Sequence, residues 1–76
     1  MLDMRTARIL KNAIDKHFGK EMLSLNEASK MTAAPVIGKH GGYTVYSCQF
    51  GDLTIMVWAQ SLETGMVVRA VKTQAW

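Results

Sequence analysis

Seventy-six residues, 49% of them hydrophobic, are enough for one packed domain (1–76) and exclude both a disordered chain and a two-domain one. The single cysteine, Cys48, excludes an intrachain disulfide, and His17 and His40 stand too far apart to form a zinc-type cluster, so no metal and no cofactor is expected. The net charge of +3 lies in residues 1–20, where Arg5, Arg8, Lys11, Lys16 and Lys20 outnumber Asp3 and Asp15, while residues 21–76 balance.

The pattern predicts a first helix over residues 4–18. Asp3 suits its N-cap, since a carboxylate there accepts from a free backbone N–H of the first turn. Gly19 suits a left-handed terminus, and Lys16 and Lys20 suit the negative end of the helix dipole. At 100° per residue, Ala7, Ile9, Leu10, Ala13, Ile14 and Phe18 share one half of the wheel with Thr6 and His17. The other half carries Arg5, Arg8, Lys11, Asn12, Asp15 and Lys16. His17 is expected to be half-buried and hydrogen-bonded. A second, shorter helix is expected over 25–33, because Ser24-Leu25-Asn26-Glu27 matches the capping box. Pro35 prevents its continuation.

The hydrophobic period then changes from 3.6 to 2. Residues 43–50, 53–60 and 66–73 read as strands, rich in β-branched and aromatic side chains. Gly51-Asp52 is a two-residue hairpin turn with glycine first, as type II′ prefers, and residues 61–65 link the next pair. Residues 35–40 add a candidate edge strand, turned by Gly41-Gly42. The expected fold is therefore α+β in two layers. An N-terminal amphipathic helix, with a short second helix, packs on a three- to four-stranded antiparallel meander.

The two-residue turn sets the hairpin register. Phe50 faces Leu53, Cys48 faces Ile55, Tyr46 faces Val57 and Thr44 faces Ala59, all on one side of the sheet. That side is the natural core. The other side carries Tyr43, Val45, Met56 and Trp58, an apolar set that a short chain has little material to cover. These four are the candidate partner-binding residues. The last strand has apolar groups at 67, 68, 70 and 71 and does not say which of its sides faces inward.

Three further features bear on function. Arg5, Arg8, Lys11 and Lys16 lie in one helical arc suited to phosphates or an acidic protein surface, interrupted by Asn12 and Asp15. Lys39-His40-Gly41-Gly42-Tyr43 resembles no known motif, though a histidine beside a lysine could serve a small toxin-like ribonuclease as general base. Cys48 reads as a core residue rather than a nucleophile. No apolar run approaches the roughly 18 residues of a membrane span, and the N-terminus lacks the pattern of a secretory signal. With a free thiol, the expectation is a cytoplasmic, non-enzymatic interaction module. Its partner is expected to be a protein, including a second copy through the sheet. Nucleic acid bound by the basic helix is the alternative. By size and style alone, such a chain compares with phage- or mobile-element inhibitors and regulators.

Overall fold

The computed structural model describes residues 4–33, 37–40 and 42–75, and side chains for all of these except 37–40. The first helix, α1, spans Met4–Phe18, and Ala7, Leu10 and Ile14 on its apolar stripe are fully buried. It ends as expected. Gly19 takes φ +73°, the Gly19 and Lys20 N–H groups both donate to the Asp15 carbonyl (2.8 and 3.2 Å), and Gly19 N–H also reaches the Lys16 carbonyl at 3.3 Å. This left-handed cap satisfies the carbonyls that a helix end leaves free. The Asp3 cap lies outside the described residues.

The second helix, α2, spans Leu25–Thr32 and opens with the full capping box. Ser24 Oγ accepts from the Glu27 N–H and Glu27 Oε1 accepts from the Ser24 N–H, each at 3.1 Å. The backbone donation, then that of the hydroxyl, holds the Glu27 carboxyl below the ordinary glutamate pKa. The connector between the helices is tied down by Asp15. Its Oδ2 accepts from Lys11 Nζ, and its Oδ1 accepts from the Met22 and Leu23 N–H groups at 2.8 and 3.4 Å. One carboxylate therefore aligns α2 beside α1 and lets Leu23, Ala28 and Met31 meet Ala7, Leu10 and Ile14.

Four strands follow: β1 (Ile37–His40), β2 (Tyr43–Phe50), β3 (Leu53–Leu62) and β4 (Gly65–Ala75). They form one antiparallel sheet in the order β1-β2-β3-β4, an uncrossed meander. The β2–β3 register is the expected one throughout, from Phe50↔Leu53 to Tyr43↔Gln60. Gly51 (φ +61°) is the residue of positive φ in that turn, as type II′ requires. β1 pairs Ile37 with Val45 and His40 with Tyr43, with an irregularity between. Pro35 and Gly41 lie outside the described residues.

β3 and β4 run longer than predicted, because Leu62 pairs directly with Gly65 and only Glu63-Thr64 remain as the turn. Their register breaks once. Trp58 faces Ala70 and Ala59 faces Val68, which leaves Arg69 as the extra residue of a β-bulge. The bulge decides the sides of β4. Residues 68 and 71 would lie on opposite faces of a regular strand, yet Met66, Val68 and Val71 all pack against the core. Arg69 swings out and its Nε donates to Gln60 Oε1 at 3.0 Å.

Both helices lie on one face of the sheet, α1 over β4 and α2 over β2. Between them Ile55 and Val57 of β3 are completely buried. Phe50, expected in the core, is 39% exposed, because it sits at the hairpin tip. Among the described residues no helix is long and apolar enough to cross a membrane.

Candidate interaction surface

The outer face of the sheet, away from the helices, collects the side chains that alternate with the core set. Tyr43, Met56 and Trp58 are half-buried there. Trp58 is the centre of the face. Tyr43 meets it edge-on, with ring centroids 6.3 Å apart and planes at 70°. The Lys72 ammonium lies 5.2 Å from its ring centroid, a cation–π contact. Lys72 stands next to Trp58 because Met56↔Lys72 is the adjoining rung of the ladder. Trp58 Nε1 and Thr54 Oγ1, both on this face, are buried without a hydrogen-bond partner.

One expected contact residue changes role. Val45 is fully buried, pinned in the ladder between Ile37 and Trp58, so it offers no surface of its own. Tyr43, Met56 and Trp58 remain accessible, and Lys72 joins them. Lys72 was not legible as a member, because its side depends on the bulge two rungs away.

The charge is arranged differently from what its position along the chain suggests. No strand contains Asp or Glu, while Lys39, Arg69 and Lys72 all lie in strands. The acids of residues 21–76 are confined to helix ends and turns: Glu21, Glu27, Asp52 and Glu63. The balanced C-terminal three-quarters thus contains an acid-free sheet.

The helix arc is weaker than its sequence. Arg5, Arg8 and Lys16 are exposed, but Lys11 is not available. Its Nζ is bonded to Asp15 and lies 3.8 Å from Glu21, and its side chain is 20% exposed. The hydrogen bond to Asp15, partly offset by desolvation, raises the Lys11 pKa above the ordinary lysine value. Lys11 is thus already engaged within the helix pair. His17 is exposed rather than half-buried, edge-on to Phe18 with ring centroids 5.1 Å apart.

Cys48 is half-buried beside the core, and desolvation, reinforced by the Glu27 carboxylate, pushes its thiol pKa up. It is therefore held as a thiol, a poor nucleophile at neutral pH. The side chains of Lys39 and His40, and with them the general-base reading, lie outside the described residues. Among the described residues no cluster of His, Cys, Asp and Glu could hold a metal ion. No family model, curated protein or solved structure matches the chain.

Proposed function

We propose that this chain is a non-enzymatic interaction module that binds a protein partner through the outer face of its sheet, around Tyr43, Met56 and Trp58. One observation carries this reading: the outer face presents two aromatic rings and a methionine where neither helix covers the sheet. Aromatic residues and methionine are enriched at the centres of protein interfaces, whereas a solvated sheet face is ordinarily polar. A second copy of the chain is one form that the partner takes, and an inhibitory or regulatory role follows from binding without chemistry.

The test is affinity capture from the source cells with the chain as bait, run beside Met56→Glu and the double variant Arg8→Glu with Lys16→Glu. A protein held by the wild type and by the helix variant, but lost with Met56→Glu, supports the reading. Capture lost only with the helix variant, or abolished by nuclease and high salt, replaces it with nucleic-acid binding through α1. Exposed Arg5, Arg8 and Lys16 favour that second reading, and the engagement of Lys11 by Asp15 weakens it. Light scattering of the isolated chain, with Met56→Glu as control, tests the second copy.

A further inference from the structure

We infer that the free edge of β4 docks an extended, acidic peptide strand, which adds a fifth strand to the sheet beside α1. The edge adjoins the outer face at Arg69 and Lys72 but is a different mode of binding, and this inference does not rest on the proposed function.

The first support is the backbone. β4 is the last strand of the sheet, and among the described residues it pairs only with β3. Alternate residues of its 11 therefore turn their N–H and C=O groups outward, a ready template for another strand. No proline interrupts it.

The second support is shape. Ala13, Lys16 and His17 of α1 line a shallow, open depression with residues 68–71 of β4. These helix residues lie on the flank opposite Lys11 and Asp15, which face the connector to α2. Because α1 lies over β4 and α2 over β2, that flank overhangs the sheet edge. Ala13 is small enough to leave the overhang open. A strand between a sheet edge and a neighbouring helix is an established mode of peptide recognition: backbone pairing supplies affinity and the helix side supplies selectivity. The bulge at Arg69 interrupts the outward ladder, so pairing is expected over residues 70–75, with one end of the peptide running into the depression.

The third support is charge. Lys16 is exposed on the helix side of the β4 edge and Arg69 on its outer side, where it reaches Gln60, and neither has an acidic counterpart among the described residues. Arg69 Nε is bonded only to a neutral amide, that of Gln60. The Asp15 carboxylate lies on the opposite flank of α1, bonded to Lys11, Met22 and Leu23. An incoming strand with glutamate or aspartate side chains complements this rim.

The experiment is an amide-resolved NMR titration of the isotope-labelled full chain with a capped octapeptide of valine and glutamate whose glutamates fall at both odd and even positions, so that both sides of the added strand carry acid. Shifts are expected at residues 70–75 and at Ala13 and Lys16. Lys16→Glu with Arg69→Glu, checked for an unchanged fold by its spectrum, should weaken binding about tenfold. Met56→Glu should leave it unchanged. Two isomers of the peptide, N-methylated on alternate residues, test the pairing itself: the one with methyl groups toward β4 should lose binding and the other keep it. Four results would each overturn the proposal. They are no shift along β4, equal response to the two isomers, equal binding of the valine–lysine counterpart, and stronger shifts of the same amides by a single-stranded oligonucleotide. Shifts at residues 70–75 on concentrating the protein alone would assign the edge to a second copy instead.

Discussion

Alternate residues of β3 lead opposite lives. Ile55, Val57 and Ala59 face the helices and are at most 1% exposed, while Met56, Trp58 and Gln60, one step along the same strand, remain half-buried. Composition does not separate the two sets, since Trp58 and Met56 are as apolar as their neighbours. What separates them is that two helices suffice to cover one face. Along β3, burial follows the helix layer rather than the hydrophobicity of the strand.

Mutations can break this contrast, beginning with the largest effect. Leu10→Ala empties the centre of the helix–sheet contact and should cost about 3 kcal/mol in denaturant unfolding. Val57→Ala on the inner face should cost about 2 kcal/mol, and Val45→Ala on the outer face about the same, because Val45 is also fully buried. A Val45→Ala cost below about 0.5 kcal/mol would return that position to the surface. Asp15→Asn loosens the helix connector and should cost about 1–2 kcal/mol. Ser24→Ala removes the capping box at about 1 kcal/mol. Met56→Gln should stay within about 0.5 kcal/mol while abolishing partner capture.

Asp15 also gives the contrast a pH signature. Burial pushes its carboxyl pKa up, but the Lys11 hydrogen bond, the Met22 and Leu23 N–H groups and the attraction of Lys11 together outweigh that and leave it lowered. A lowered folded-state pKa means that the unfolded chain takes up the proton first. The stabilisation is complete above the unfolded value of about 4 and is lost as pH falls through that value toward the folded one. Unfolding midpoints measured from pH 6 downward should fall in the wild type and fall less steeply in Asp15→Asn.

Much of the fold was legible because local signals agreed with one another. Gly19 closed α1, Ser24 and Glu27 opened α2, and Gly51-Asp52 set every rung of the β2–β3 ladder. β4 was not legible. A bulge adds one residue without any marker in composition, and Arg69 looks like any surface arginine until its neighbours at 68 and 71 are seen to point the same way. The β3–β4 turn is narrower than its composition suggests, because its glycine, Gly65, follows the turn rather than sitting in it. Of the candidate sites, the outer face came from the register and kept Tyr43, Met56 and Trp58 accessible. The helix arc lost Lys11 to an i,i+4 carboxylate that reads in sequence as a mere interruption.

The uncrossed strand order has a kinetic consequence. Each strand pairs with the one just made, so the β2–β3 and β3–β4 hairpins are local in sequence and close on the microsecond scale of isolated hairpins, about 1–10 μs. Among the described residues the meeting of α1 with β4 spans the greatest separation in sequence, so it carries the largest loop-closure entropy of the fold's contacts. That least local seam of the fold borders the free strand edge.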